Sequence, residues 1–323
     1  MKILVTGGAG FIGSNFIHYQ LENYDDQIIN IDKLSYAGNL DNLKDVETNP
    51  NYEFRELDIC NREKIDQIMH RGIDYIVNFA AESHVDRSIE DPSVFVKTNI
   101  AGTQNLLDLA LKFGVKKFIQ ISTDEVYGSL GKNDKFSEDS ILNPSNPYAA
   151  SKASADLLVK SYFKTYNLPI NITRCSNNFG PYQYPEKLIP LFIINALQDE
   201  KLPLYGDGSN IRDWIYVKDH CKAVDLVMRK GESGEIYNIG ADNEKTNIEI
   251  TRLILSLLSK TELLIKHVKD RKGHDYRYAV DSSKIKEKLG WETEFDFENA
   301  MRKTLNWYLD HKKWWQKIIN EQK

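Results

Sequence analysis

Tyr148 and Lys152 stand four residues apart in Pro147-Tyr148-Ala149-Ala150-Ser151-Lys152, a spacing that puts both side chains on one helix face, one turn apart. An ammonium near a phenol favours the phenolate and lowers its pKa from about 10. Such a tyrosine can take a proton from an alcohol while hydride leaves the adjoining carbon. Spacing alone says little, since Tyr308 and Lys312 repeat it and read as a solvated helix face. The second chemical stretch is Ser122-Thr123-Asp124-Glu125-Val126-Tyr127-Gly128. Two adjacent carboxyl groups can be driven to different protonation states, one kept neutral as an acid and one charged as a base. Elimination needs that combination. A lone Asp-Glu pair would more simply be a capped turn, but this one follows an expected strand at the carboxyl edge of a sheet, where open α/β sheets hold ligands.

Those side chains need a cofactor, and the beginning of the chain supplies a place for one. Thr6-Gly7-Gly8-Ala9-Gly10-Phe11-Ile12-Gly13 joins an expected strand to an expected helix. Glycine serves where the chain turns tightly, where backbone approaches a pyrophosphate and where helix packs on strand, while the helix N-terminus offers N–H groups to phosphate. Asp32 ends the second expected strand, where a carboxylate accepts hydrogen bonds from a ribose diol. It would repel a 2'-phosphate, which favours NAD over NADP, with Lys33 beside it pulling the other way. Asp58 ends the third strand and is either an adenine contact or a helix cap.

The elements that position these groups alternate. Strands are expected at Ile3 to Thr6, Ile28 to Ile31, Phe54 to Leu57, Tyr75 to Phe79, Phe118 to Ser122 and Ile170 to Thr173, with helices at Phe11 to Tyr24, Pro92 to Phe113 and Pro147 to Tyr166. This is the pattern of βαβ units, a doubly wound, Rossmann-like parallel sheet. Residues 1–180 form the expected NAD-binding domain and carry the catalytic residues. Residues 181–323, punctuated by Pro181, Pro185, Pro190 and Pro203, form an expected smaller α+β lobe for substrate, with the chain crossing between lobes more than once. Trp307, Trp314 and Trp315 are spaced for packing on one helix face. At 323 residues, 41% hydrophobic and 28% charged, the chain reads as folded and water-soluble. With 42 Lys and Arg against 47 Asp and Glu, a net charge of -5, it has no general attraction for nucleic acid or anionic membrane. Three cysteines without CxxC or Cys-His spacing argue against a disulfide framework or zinc. The lack of a signal or membrane-spanning run gives a cytoplasmic expectation.

The Gly-x-x-Gly-x-x-Gly spacing, Asn78-Phe79-Ala80-Ala81 and the Tyr148/Lys152 pair resemble the extended short-chain dehydrogenase/reductase family. The stretches Ile121 to Gly128, Ala80 to Ser88 and Cys175-Ser176-Asn177-Asn178-Phe179-Gly180-Pro181 narrow the resemblance to the nucleotide-sugar 4,6-dehydratases that act on dTDP-glucose. Pro185 to Pro190, Ile211 to Trp214 and Arg271 to Tyr278 extend it over nearly the whole chain. Lys272 departs from the family's usual proline. The resemblance implies that Thr123, Asp124, Glu125, Tyr148 and Lys152 are catalytic. It implies NAD contacts from Gly7, Gly10, Phe11, Ile12, Gly13, Asp32, Lys33, Leu34, Ser35, Asp58, Ile59, Ala80, Ala81, Ser83, Thr98, Tyr148, Lys152 and Asn178. For substrate it implies His84, Thr123, Asp124, Glu125, Asn177, Lys187, Leu188, Pro203, Tyr205, Arg212, Asn247, Arg271 and His274. Arg212 and Arg271 offer fork donors to a diphosphate and Tyr205 a ring to a base, although Arg212 could instead pair with Asp213 and the histidines could be structural. A homodimer packed through the helices near Pro92 to Phe113 and Pro147 to Tyr166, and a role supplying deoxysugars such as rhamnose to polysaccharide, are also implied.

Two rival readings remain open at this point. A 4-epimerase or decarboxylase would share the glycines and the Tyr-Lys pair but has no need of an acid to expel a hydroxyl. A non-catalytic NAD-sensing regulator would be free to lose both.

Overall fold

The computed structural model describes residues 1–321. The strands are β1 Lys2–Thr6, β2 Gln27–Asp32, β3 Tyr52–Glu56, β4 Tyr75–Asn78, β5 Lys117–Thr123, β6 Ile170–Cys175, β7 Asn177–Phe179, β8 Leu202–Tyr205, β9 Ile211–Tyr216, β10 Ile236–Ile239, β11 Glu244–Thr246 and β12 Ile265–Val268. The helices are α1 Phe11–Asn23, α2 Arg62–Met69, α3 Val85–Glu90, α4 Ser93–Phe95, α5 Thr103–Phe113, α6 Pro147–Tyr166, α7 Leu188–Leu197, α8 Val217–Lys230, α9 Asn247–Leu257, α10 Ser283–Leu289, α11 Phe297–Asp310 and α12 Lys312–Glu321.

Seven strands run parallel in the order β10-β6-β5-β4-β1-β2-β3. The order reverses between β1 and β4, so the carboxyl ends of the strands open onto the crevice where doubly wound folds bind ligands. Both faces are covered, as a parallel sheet demands. Leu106, Leu107 and Ala110 of α5, Ile65 of α2 and Val159 of α6 pack on one face. Phe16 and Ile17 of α1, with Val217, Val224 and Met228 of α8, pack on the other. A second core lies under the small sheets β11-β9-β7 and β12-β8, built by Phe192 and Ile193 of α7, Ile250 and Ile254 of α9, and Met301 and Tyr308 of α11. Strand β10 and helix α8 complete the large sheet although both lie past residue 180.

Helix α6 is the element that matters most to the chemistry. Asn146 caps its start by accepting from Ala149 N at 2.9 Å, Pro147 occupies the first turn, where its missing N–H costs nothing, and Asn167 ends it in the left-handed conformation, φ 56°. A buried network then ties the helix to the sheet. Arg174 of β6 donates from Nε to Asp156 Oδ2 at 2.9 Å and from Nη1 to Tyr127 Oη at 2.9 Å, and Tyr127 passes its own proton to Asn238 of β10 at 2.8 Å. Arg174 and Asp156 are 2% and 0% exposed.

Three expectations are corrected. Pro92 to Phe113 is not one helix: α4 passes through a π-helical stretch, Val96–Gly102, into α5. There Gly102 lies so close to Ile59 that an added Cβ would come within 2.5 Å of it, and Asn99 reaches Glu82 O at 3.0 Å and Ser151 Oγ at 2.8 Å. The tryptophans do not share one helix, because the chain breaks at His311 and Trp315 Nε1 donates back to Tyr308 O at 2.9 Å, satisfying a carbonyl at the end of α11. Nor is Tyr308 on a solvated face: it is 0% exposed and donates to Gln183 O at 2.5 Å.

Replacing Asp156 by alanine strands a buried guanidinium, and loss of one partner of such a pair costs about 3–5 kcal/mol. Denaturant unfolding of Asp156→Ala should show that loss, and a change below about 1 kcal/mol would mean that Arg174 finds another partner.

Candidate active site

The carboxyl ends of β1, β2, β4, β5 and β6 border one cavity of about 530 Å³, in the usual range for a small-molecule site. At its cofactor end, Gly7 turns at φ 68°, and a Cβ there would come within 2.6 Å of Ala80 N. A Cβ on Gly13 would collide with the Gly7 carbonyl. Helix α1 begins at Gly10 without a side-chain cap, so its first N–H groups face the cavity that Gly10, Phe11, Ile12 and Gly13 line. Asp32 accepts from Ala9 N at 3.0 Å and Leu34 N at 2.8 Å. Burial raises its pKa against the pull of those two bonds. Lys33 is held away by Glu82 at 2.9 Å and Thr98 at 3.0 Å. Turn, bare helix end and cavity-lining carboxylate fit a dinucleotide.

Tyr148 and Lys152 meet the wall from α6. Lys152 Nζ donates to Ile121 O at 2.6 Å, pinning the helix to β5, and burial lowers its pKa. The pKa of the Tyr148 phenol stands well above the ordinary value, through burial first and then the charge of Glu125. Lys152 is not among the groups that offset this rise; its ammonium donates to a carbonyl, and the cavity is rich in carboxylate.

Thr123 ends β5 and caps the next turn, accepting from Glu125 N at 3.3 Å. Asp124 is 2% exposed; burial, then the charge of Glu125, push its pKa well up. Burial also raises Glu125, but Arg271, Arg212 and Lys187 oppose the rise. The two adjacent carboxyl groups therefore sit in unequal environments.

Arg212 does not pair with Asp213. Its guanidinium donates to Ile211 O at 2.7 Å and Asp275 O at 3.0 Å and lies over the Tyr278 ring at 4.3 Å, while Asp213 accepts from Ala241 N and Asn243 N. His84 caps α3 and reaches Glu186 at 3.2 Å; His274 holds Asp270 at 2.6 Å and meets Tyr205 edge-on. Every residue assigned from sequence lines this one cavity except Leu34 and Asp58. Leu34 offers backbone to Asp32, and Asp58 caps a turn by accepting from Cys60 N at 2.8 Å. Tyr36, Tyr184, Glu186 and Tyr278 also line it without having been assigned. Tyr36 follows Asp32 by four residues and Glu186 adjoins Lys187, so proximity to assigned positions was the available clue. Among lining residues, Ser122 Oγ, Asp124 Oδ2, Asn177 Oδ1 and Arg271 Nε are buried without a hydrogen-bond partner, a set suited to a polar ligand. No metal-binding group of His, Cys, Asp and Glu occurs among the described residues, and no helix of theirs is long and apolar enough to cross a membrane.

A family profile described as GDP-mannose 4,6 dehydratase matches residues 4–304. A dTDP-glucose 4,6-dehydratase of Neisseria meningitidis is 50% identical, with 99% of this chain and 96% of that protein covered. The low-salt glycan biosynthesis protein Agl12 of Haloferax volcanii is 55% identical over 96% of this chain and 99% of its own. Among solved structures, DesIV, a dTDP-glucose 4,6-dehydratase of Streptomyces venezuelae with NAD and dTDP bound, superposes with a TM-score of 0.96 at 47% identity, covering 98% of this chain and 100% of that one.

The raised pKa of Asp124 sets a pH dependence. The folded chain keeps this proton to higher pH than the unfolded chain, whose carboxyl titrates near 3.9, so stability is full below that value and is lost as pH rises toward the folded pKa. Asp124→Asn keeps the neutral shape, so its melting temperature should exceed that of the parent by a margin that grows from about pH 5 to about pH 8. A margin that shrinks over that interval would mean that Asp124 is held as a carboxylate.

Proposed function

The chain belongs to the nucleotide-sugar 4,6-dehydratase family, and on that premise we propose that it converts dTDP-glucose to dTDP-4-keto-6-deoxy-glucose with loss of water. It is a hydro-lyase, and its cofactor is NAD. One observation carries the reading: Asp124 and Glu125, placed at the end of β5 in unequal environments, share a single cavity with Tyr148 and the cations Arg212, Arg271 and Lys187. Epimerases and decarboxylases of the same fold need no acid to expel a 6-hydroxyl, and a silent NAD sensor needs neither carboxyl.

When bound, NAD supplies a positive charge beside the phenol and a place for the C4 hydride between its removal and its delivery to C6. Gly7, Gly10, Gly13 and the first turn of α1 would hold the pyrophosphate, and Asp32 the adenosine ribose. Tyr148 takes the proton from the C4 hydroxyl, and Thr123, which lines the same cavity, steadies the same oxygen. Lys152 anchors the helix that presents Tyr148. The resulting ketone acidifies C5, whose proton Glu125 removes. Asp124 protonates the C6 hydroxyl so that it leaves as water. Glu125, protonated in the preceding step, can return a proton to C5. Arg212 and Arg271 face the diphosphate, and Tyr205 faces the base. Residues 1–180, completed by α8 and β10, serve the cofactor and carry the catalytic residues in this reading, and the remainder, with His84 and Asn177 of the first part, serves the nucleotide sugar.

Val96 is 53% and Leu157 58% exposed. With the resemblance, they support a homodimer joined through the helical run Pro92 to Phe113, whose π-helical stretch carries Val96, and through α6. The nucleotide ligands point to a cytoplasmic reaction, and the product suits deoxysugar supply to surface glycans, in line with the glycan-biosynthesis relative.

Purified protein given dTDP-glucose without added reductant should release a nucleotide sugar one water lighter, seen by mass spectrometry; an unchanged mass would refute the dehydration. The double variant Asp124→Asn/Glu125→Gln should stop after C4 oxidation, so that quenched mixtures contain a sugar two hydrogens lighter and none that has lost water. Normal turnover would remove both carboxyls from the mechanism. Light scattering should give twice the 37.3 kDa chain mass and a monomer for Leu157→Glu, whereas a monomeric parent would exclude the dimer.

A further inference from the structure

Asn42 joins the last helix of the chain to the glycine turn. It is 1% exposed and lies in the single helical turn Leu40–Leu43 that follows β2. Trp314 Nε1 of α12 donates to its Oδ1 at 2.8 Å, and its Nδ2 donates to Ala9 O at 2.9 Å. An indole N–H can only donate, so the amide oxygen must face Trp314, and that leaves the amide N–H for Ala9. Ala9 lies within the glycine turn, and its own N–H goes to Asp32 Oδ2 at 3.0 Å. An unbroken hydrogen-bonded series thus runs from α12 through Asn42 and Ala9 to Asp32.

Other contacts hold the same junction. Lys317 of α12 pairs with Asp41 at 2.6 Å, and His18 of α1 meets Asn42 O at 2.8 Å. The Tyr182 ring packs on Trp307 at 4.8 Å and stacks on His18 at 5.6 Å. Neither Trp314 nor Asn42 lines the cavity, so the junction supports the cofactor turn from outside.

We propose that α12 is a strap that keeps the ribose-binding turn closed and so retains NAD through repeated cycles. The inference rests on the NAD reading above. For the turn around residues 33–45 to swing away from the ribose, Asn42 must give up Trp314 or Ala9, and either loss leaves buried amide atoms unpaired. Release of the cofactor is thereby tied to a helix that touches neither cofactor nor substrate. Retention matters here because the reaction leaves NAD as it found it, so nothing in the chemistry calls for its exchange.

The test compares the parent with Trp314→Phe, which keeps a ring but loses the donor, Asn42→Asp, which loses the donor to Ala9, Lys317→Ala at the exposed pair, and Gln316→Ala on the same helix as a control. Each NAD-loaded protein is passed repeatedly through gel filtration, the retained NAD is assayed after denaturation, and the NAD-free protein is melted separately. Release should be about tenfold faster in Trp314→Phe and Asn42→Asp, equivalent to about 1.4 kcal/mol, and faster by a smaller factor in Lys317→Ala, with Gln316→Ala unchanged. Melting of the NAD-free proteins should move by only a few degrees. Retention equal to the parent in all three strap variants, or equal loss in Gln316→Ala, overturns the strap. If Trp314→Phe does not fold, Asn42→Asp and Lys317→Ala decide the question. A parent that binds no NAD overturns the cofactor reading and the strap together, whereas parental binding with unaltered variants overturns the strap alone.

Discussion

Removing a carboxylate from water costs several kcal/mol unless charge or hydrogen bonds replace the water, and this fold buries Asp124 and places Glu125 beside it at the end of one central strand. Neither forms an ion pair, as neither stands within salt-bridge distance of a cation among the described residues. Compensation comes from a distance, from Arg212, Arg271 and Lys187, which the chain delivers only after leaving the large sheet. The second part of the molecule is therefore an electrostatic requirement of the first as well as a wall for a ligand. Arg212 can serve because backbone carbonyls and the Tyr278 ring, rather than a carboxylate, hold it in place, so its charge is not consumed locally.

The same burial explains how α6 is fixed. A lysine ammonium in such a place must be hydrogen-bonded, and Lys152 meets Ile121 O. That bond, the Arg174–Asp156 pair and the Tyr127–Asn238 link together join α6 to β5, β6 and β10. Tyr148 and the Thr123 turn are thus presented to one cavity by two elements locked to each other.

Much of this was legible in the sequence because its carriers are local. Alternating strands and helices, the Asn146-Pro147 start of α6 and the glycine turn are short-range signals, and the six expected strands fall within the observed ones to within a residue or two at each end. What could not be read depends on approach between distant segments. The π-helical interruption ends at Gly102, where Ile59 packs too closely for a Cβ, and the burial of Tyr308 comes from the second core around it. The same holds for Arg212, whose partners at Asp275 and Tyr276 lie more than sixty residues on; adjacency to Asp213 was a misleading guide. Nor does a helical i, i+4 neighbour tell of the carboxyl groups that a β-strand brings to the same cavity as Tyr148.

That last point bears on how two neighbouring carboxyls acquire different duties. Adjacent Asp and Glu differ only a little in their intrinsic tendency to ionise, with Glu slightly the weaker acid, and mutual repulsion alone would not choose between them. The cations choose. Glu125 is opposed by three of them, so its charged form is the one relieved. The rise of Asp124 is opposed by Arg212 but reinforced by both Glu125 and Asp213. The proposed division, base for Glu125 and acid for Asp124, accords with where Arg271 and Lys187 stand relative to the turn after β5. A net charge of -5 for the whole chain conceals this, since a few placed cations set the sign of the field where the chemistry occurs.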